Sequence, residues 1–172
     1  MTSFDGWKCV EQPSIRSYNM NQFEAVDLDQ IVVDVFGTML SDQVMAVDEP
    51  WHSDVNRLTA SVHFAGPAPG ALLVECSKQD ACCVAELLTG IRHDEVSEDV
   101  LDSLAEMANM VGGNLKSLLH AGAGLSIPIV VEGSAWASNL PASEPHRRRA
   151  FACGTAVFWV TYVAEQAGGL RA

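Results

Sequence analysis

Glu106 and Asn109, three residues apart on one predicted helix, are the side chains in this sequence best placed to do chemistry. Helical residues three or four apart stand about 5–6 Å apart at Cβ, so a carboxylate and an amide would lie side by side. The same polar face also carries Asp99, Asp102, Gly113 and Lys116. This face is therefore a candidate site for contact with another surface.

The helix that positions these residues is predicted over Asp94 to Leu119. Apolar residues recur at spacings of three and four, which is typical of an amphipathic helix with one buried face. Asp94 or Ser97 could cap its start, and acidic residues crowd the first turn, where the helix dipole favours them. The predicted buried stripe consists of Val96, Val100, Leu104, Met107, Ala108, Val111, Leu115 and Leu118.

Gly112 and Gly113 interrupt this helix, although the apolar stripe continues past them. Each glycine inside a helix costs about 1 kcal/mol relative to alanine. Beside an acid and an amide, a bare backbone would let another surface approach closely. The alternative is that the glycine pair caps the end of the helix and the polar face is only solvated.

Composition narrows the class of protein. The chain has 172 residues, 48% of them hydrophobic, which predicts one globular domain with a real core. The formal charge of -12 argues against nucleic acid and anionic membranes as partners. The run from Arg147 to Arg149 is a local exception, which could pair with an acidic protein or be a solvated loop or strand entry.

Cysteine usage and hydropathy predict a cytoplasmic protein. The cysteines are odd in number, show no C-x-x-C spacing and suit reduced, mostly buried thiols. No signal peptide and no apolar run of membrane-spanning length is recognised. The five cysteines are Cys9, Cys76, Cys82, Cys83 and Cys153.

The elements that surround the predicted helix indicate an α+β domain with an antiparallel sheet on two principal helices. Residues 1–20 are expected to form an extension and residues 21–168 the domain. A first helix runs from a capping box at Asn21 and Glu24 to about Ser41. Residues 42–56 form a loop, with or without a short edge strand. A half-buried strand, Arg57 to Phe64, then makes a hairpin with Ala71 to Cys76. Its apolar side carries Leu58, Ala60, Val62 and Phe64, and its other side Arg57, Thr59, Ser61 and His63.

The second half of the chain adds a short helix from Ser77 to Gly90 and two further strands. Leu125 to Val131 is predicted as one strand, at an edge or beside a bulge because it contains Pro128. Residues 132–145 form a loop. Arg149 to Val163 is predicted as one long strand, apolar on both faces, which favours a homodimer in which this strand meets or is exchanged with a partner copy. The predicted order is helix-strand-strand-helix-helix-strand-strand.

Familiar catalytic and metal motifs are missing from the sequence. It contains no P-loop, no G-x-G-x-x-G after a strand and no G-x-S-x-G elbow, and no cysteine nucleophile is recognisable. His93, Asp94 and Glu95 form the only dense group of potential metal ligands in the sequence. They are interpreted as the acidic start of a helix in preference to a metal site. No metal ligand is therefore assigned.

Taken in this order, the elements resemble the CheC/CheX/FliY family of chemotaxis phosphatases, its CheX branch most closely. The resemblance spans about residues 26–168. It rests on the hairpin FAGPAPGALLVECS (Phe64 to Ser77) and on the signature helix DSLAEMANMVGGNL (Asp102 to Leu115), in which Glu106 and Asn109 form the E-x-x-N motif. The first helix has Asp34-Val35-Phe36-Gly37 where CheC-type members carry a second such motif, so one active helix is expected.

The resemblance implies an enzyme that hydrolyses the aspartyl phosphate of a CheY-type receiver domain. It implies that Glu106 contacts the receiver's active-site lysine and that Asn109 orients the attacking water. Asp102, Gly113 and Lys116 would contact the partner. This chain would bind no cofactor, and Mg²⁺ would be supplied by the receiver.

Two alternatives to the phosphatase remain open at this stage. One is a non-catalytic receiver-binding or scaffold module in two-component signalling, against which the intact Glu106/Asn109 pair argues. The other is a small-ligand sensor between the two helices, for which the sequence offers no polar cluster. The CheX resemblance also supports the homodimer.

Overall fold

The structure is a computed structural model, and it describes residues 25–39, 44–52, 56–66, 69–119, 122–133 and 147–164. The capping box at Asn21 and Glu24, the loop at 134–145 and Cys9 lie outside these residues. The described chain forms three helices and one antiparallel sheet of seven strands, which confirms the predicted fold class.

Three helices pack on one face of the sheet. Helix α1 spans Ala25–Met39, α2 spans Lys78–Thr89 and α3 spans Glu98–Leu119. Helix α3 contacts both other helices and strand β2, so it lies at the centre of the helical layer. The short helix α2 begins as predicted, since Ser77 Oγ accepts the Asp80 N–H at 3.0 Å, and it ends at Gly90, which has a φ of 70°.

The seven strands follow the order β1-β6-β7-β3-β2-β4, and β5 also pairs with β2. Strand β1 at one edge is the short edge strand foreseen as an option in 42–56. The bounds are Val44–Val47 for β1, Arg57–Ala65 for β2, Gly70–Ser77 for β3, Gly124–Leu125 for β4, Ile129–Glu132 for β5, Arg147–Cys153 for β6 and Ala156–Ala164 for β7.

Two of the predicted strands are in fact pairs of strands. The segment predicted as one strand over 149–163 is the β6–β7 hairpin, which turns at Gly154 with a φ of 57°. Glycine adopts this left-handed φ without strain, so Gly154 allows the chain to reverse there. The apolar run in the sequence contains no cluster of polar residues that would mark the turn. The segment 125–131 is β4 and β5, separated around Pro128, which lacks the N–H that a continuous strand would use.

The core lies between the helices and the sheet. Phe158 stacks on Phe151 at 5.7 Å and lies 5.2 Å from Phe36, measured between ring centroids. Phe151 and Phe158 therefore share one face of the sheet, whereas the single-strand prediction placed them on opposite faces. Each hairpin reversal resets the alternation of side chains, so the correct face could not be read across Gly154.

The other face of the sheet is also covered. Arg57, Thr59 and Ser61 were predicted to face solvent from a half-buried strand, but all three are buried. Strand β3 behaves similarly, since Glu75 on the same face is only 1% exposed. Polar side chains at alternate positions of β2 therefore mark a second buried surface, not a solvated one.

Candidate functional site

Helix α3 buries the apolar stripe that its periodicity predicts, with two corrections. Val100, Leu104, Met107, Ala108, Val111 and Leu115 are buried, and Val96 packs against the core from just before the helix. Leu118, predicted to belong to the stripe, is 59% exposed. The second correction concerns the start, because the helix begins at Glu98, not at Asp94.

Of the two predicted caps of α3, Ser97 takes the N-cap position and Asp94 does not. Ser97 occupies the N-cap position, since its carbonyl accepts the first helical bond from Leu101 at 3.1 Å. Its hydroxyl is buried without a hydrogen-bond partner. Asp94 is exposed and pairs instead with Arg92 at 2.9 Å. The helix start therefore relies on Glu98 and Asp99 in the first turn, where the N-terminal dipole favours acidic groups.

The polar face of α3 points away from the core, as predicted. Asp99, Asp102 and Glu106 are exposed, and Asn109, Gly113 and Lys116 are partly exposed. Among the described residues, the side chains of Glu106 and Asn109 make no hydrogen bond or ion pair. The structure thus places a carboxylate and an amide one helical turn apart on an open surface, with their hydrogen-bonding groups available to a partner.

Gly112 has a packing role. Strand β2 approaches it so closely that a Cβ at this position would lie 2.6 Å from Val62 Cγ2 and 3.5 Å from Leu125 Cδ1. A side chain there would push α3 away from the sheet. Since the helix continues through both glycines to Leu119, the C-cap alternative is wrong.

Gly113 has no comparable packing reason. A Cβ at this position would meet nothing within 4 Å, and the residue lies one turn beyond Asn109 on the outward face. A glycine here weakens the helix by about 1 kcal/mol relative to alanine and gains no internal contact. Its presence is consistent with a surface that must remain bare.

Helix α1 presents no equivalent pair. Asp34 is exposed and accepts a hydrogen bond from Gln30 Nε2 at 2.7 Å, while Gly37 one turn on offers no side chain. The acid and the amide of α1 are therefore bonded to each other, whereas Glu106 and Asn109 on α3 are open to a partner.

The other candidate groups have structural partners. Arg149 forms a bidentate pair with Asp29 on α1, both bonds being 2.9 Å long, and Arg148 donates to Thr161 Oγ1 at 2.9 Å. The basic run is thus a strand whose last two arginines bind neighbouring elements. In the described part of the chain, no three His, Cys, Asp or Glu side chains converge as a metal site would require.

Cys76, Cys82 and Cys83 are free thiols, and Cys76, Cys82 and Cys153 are buried. Burial, assisted by the charge of Asp80, raises the pKa of the Cys76 thiol far above its ordinary value. Burial likewise raises the pKa of Cys82. Since the thiolate is the reactive form, these groups suit packing and not nucleophilic chemistry.

Sequence reasoning missed one group of charged residues. Arg57, Glu75 and Arg148 lie together on the face of the sheet opposite the helices. The available signal was a glutamate inside the apolar run of β3, opposite a strand whose alternate residues are polar.

No helix among the described residues is long and apolar enough to cross a membrane.

Comparison with known structures identifies the fold. A CheX from Vibrio vulnificus superposes with a TM-score of 0.66 at 17% identity, over 82% of this chain and 95% of that one. The CheX of a CheX–CheY–BeF3–Mg complex from Borrelia burgdorferi gives 0.64 at 17% identity, over 83% and 99%. A CheC-like protein from Shewanella gives 0.62 at 18% identity, over 81% and 95%. No curated protein sequence gives a significant match.

The family model described as "Chemotaxis phosphatase CheX" matches residues 58–151, which is more than half of the chain. The matched segment contains strands β2 and β3, helix α2 and the whole of α3 with its outward-facing acid and amide. The chain therefore belongs to the CheX family of chemotaxis phosphatases.

Proposed function

We propose that this protein hydrolyses the aspartyl phosphate of a CheY-type receiver domain at the outward face of α3. The observation that carries the proposal is the unpartnered Glu106 and Asn109 side chains, one turn apart on a helix that the CheX family model matches. The structure of a CheX bound to CheY supports the choice of partner.

In this mechanism the chain supplies position more than reactivity. Asn109 holds a water in line with the phosphorus of the receiver's phosphoaspartate. The water oxygen forms the new bond to phosphorus, the bond to the aspartate oxygen breaks, and inorganic phosphate and a free carboxylate result. Phosphoryl transfer requires mainly alignment and charge stabilisation, which an amide can provide as a glutamine does in small GTPases.

Glu106 acts on the receiver and not on the water. As an exposed carboxylate it is free to pair with the active-site lysine of the receiver, which fixes the register of the two proteins. Mg²⁺ is contributed by the receiver. Asp102, Gly113 and Lys116 on the same face make the remaining contacts, the first and last as charges and Gly113 as a bare backbone position.

The test is to mix the full chain with phosphorylated receivers from its own organism and to follow phosphate loss. The variant to compare with the wild type is Asn109→Ala. The Asn109 side chain is partly exposed, so its removal leaves no cavity and should not disturb the fold. We expect the variant to bind the receiver and to lose stimulated turnover by about 10²-fold or more. Equal rates for both proteins on a receiver that the wild type dephosphorylates would refute the mechanism. If neither protein acts on any phosphorylated receiver, yet both bind one, the scaffold function takes its place.

Three further assignments belong to the same proposal. The functional unit is a single domain over residues 21–168, the protein works in the cytoplasm, and it forms a homodimer. The receiver's own pathway identifies which signalling system it serves.

A further inference from the structure

A second group of charged and aromatic side chains lies on the sheet face opposite the helices, away from Glu106 and Asn109. Arg57 precedes Leu58, which faces the helical core, so alternation directs Arg57 to the other face. There it contacts Trp51 and Trp159, and Arg148 joins the group through Trp51 and its ion pair with Glu75. We call these five residues the arginine–tryptophan cluster.

The two guanidinium groups stack on the indole rings. The Arg57 Cζ lies 4.5 Å from the ring centroid of Trp159 and 5.4 Å from that of Trp51. The Arg148 Cζ lies 4.1 Å from the Trp51 centroid. These contacts are within cation–π range, so the two tryptophans hold two positive charges close together.

Three nitrogens of this cluster, which together carry four N–H bonds, have no acceptor. Arg57 is only 6% exposed, and its Nη2 donates to the His52 carbonyl at 2.7 Å. Its Nε and Nη1 are buried without a partner, and so is Nε1 of Trp51. A buried donor left unpaired costs free energy comparable to a lost hydrogen bond, and more when the group is charged.

The charges of the cluster do not balance either. Arg57 and Arg148 contribute two positive charges, and Glu75 contributes one negative charge. Glu75 Oε2 lies 3.7 Å from Arg148 Nη2 and accepts the Thr161 hydroxyl at 3.3 Å. Within the described residues, Arg57 has no carboxylate partner at all. The pKa of Arg148 is lowered, mainly by burial. The charge of Glu75 opposes this effect, and the charge of Arg57 adds to it.

We propose that the arginine–tryptophan cluster binds a small monocarboxylate. A single negative charge balances the excess positive charge, and the two oxygens of a carboxylate offer about four lone-pair sites for the free N–H bonds on these three nitrogens. Water could accept the same hydrogen bonds but would leave the charge unbalanced. Chloride balances the charge but offers one atom to donors on two different side chains.

The test is thermal unfolding of the full chain in sodium acetate and in sodium chloride, at the same pH and ionic strength. We expect acetate to raise the midpoint in a saturable way, as a ligand that binds only the folded state does. We expect chloride to produce no saturable rise. Equal effects of the two salts would mean that only ionic screening acts, and the proposal would be wrong.

Two variants locate the site. Trp51→Phe keeps an aromatic ring for the guanidinium groups and removes one N–H, so acetate affinity should fall by roughly tenfold. Arg57→Lys keeps the charge but loses the free Nε and Nη1 donors, so saturable binding should be lost. Arg92→Gln, at an exposed arginine, is the control and should bind as the wild type does. Unchanged acetate affinity in both cluster variants would place the anion elsewhere and overturn the assignment.

If Arg57→Lys does not fold, Trp51→Phe decides the question alone. A tryptophan fluorescence titration with acetate provides a second readout, because Trp51 and Trp159 flank Arg57. A fluorescence midpoint that moves to higher acetate concentration in Trp51→Phe, where Trp159 still reports, supports the site. No change in the wild type at concentrations that raise its unfolding midpoint would count against it.

Discussion

At the scale of single residues, Glu106 and Asn109 differ in what their loss should remove. Asn109 is assigned to the attacking water and Glu106 to binding of the receiver. A higher receiver concentration can therefore compensate for the loss of Glu106 but not for the loss of Asn109. We therefore expect Glu106→Ala to recover much of its rate at saturating receiver and Asn109→Ala to recover little. The measurement is initial dephosphorylation rate against receiver concentration. Equal recovery would show that the two side chains share one role.

Gly113 provides a second test of the same surface. Alanine at this position would meet nothing within 4 Å, so it should stabilise α3 by about 1 kcal/mol. If the receiver lies against this backbone, Gly113→Ala should also weaken receiver binding several-fold. Stability is measured by urea unfolding and binding by titration with the receiver.

Gly37→Ala is the matched control for that experiment. Gly37 is also a helical glycine with open space around its absent Cβ, but it lies on α1, which does not carry the E-x-x-N motif. We expect the same gain in stability and no change in binding. If Gly113→Ala binds as tightly as Gly37→Ala, the partner does not approach at Gly113.

The sequence was a good guide to the residues of the candidate site and a poor one to the arginine–tryptophan cluster. Glu106 and Asn109 face outward as helical spacing predicts, because α3 is long and has a single buried stripe. Arg57 shows the limit of such reasoning. Alternation separated the two faces of β2 correctly, but it cannot tell a solvated polar face from a buried one.

At the scale of elements, the position of α3 depends on its contact with β2 at Gly112. Alanine there would place Cβ 2.6 Å from Val62 Cγ2, and overpacking of this kind costs about 1–3 kcal/mol. Part of this is offset by the better helix propensity of alanine. We expect Gly112→Ala to lower the free energy of unfolding by about 1 kcal/mol, opposite in sign to Gly113→Ala.

A double mutant separates this clash from a general loss of packing. Val62→Ala removes the methyl group that the new Cβ would meet. The pair Gly112→Ala and Val62→Ala should therefore be less destabilised than the sum of the single changes. Additive losses in urea unfolding would mean that Val62 is not the obstacle.

The strands were predicted less accurately than the helices, for a physical reason. Helix α3 is identified by more than five turns of one period, whereas a strand is short and its period of two restarts at every turn. The β6–β7 reversal at Gly154 carries no proline or charged cluster, and it inverted the face assigned to Phe151. Pro128 did mark the edge of the sheet, as its missing N–H predicts.

At the scale of the whole molecule, the structure changes the basis of the predicted homodimer. The predicted homodimer rests on a single strand over 149–163 with two apolar faces. Strands β6 and β7 instead lie inside the sheet, each hydrogen-bonded on both sides. Among the described strands, the free edges are β1 on one side and β4 and β5 on the other, so two copies whose described strands meet edge to edge must do so there.

The β5 edge is the better candidate of the two. It carries two exposed isoleucines, Ile127 at 81% and Ile129 at 47%, whereas β1 exposes Met45 at 54%. A formal charge of -12 on each copy opposes association, so apolar contacts must supply the attraction.

We expect light scattering at micromolar concentration to give twice the chain mass. Ile129→Lys should shift this toward the monomer, and Met45→Lys should not. A monomeric wild type would contradict the homodimer, and dissociation by Met45→Lys alone would move the interface to β1.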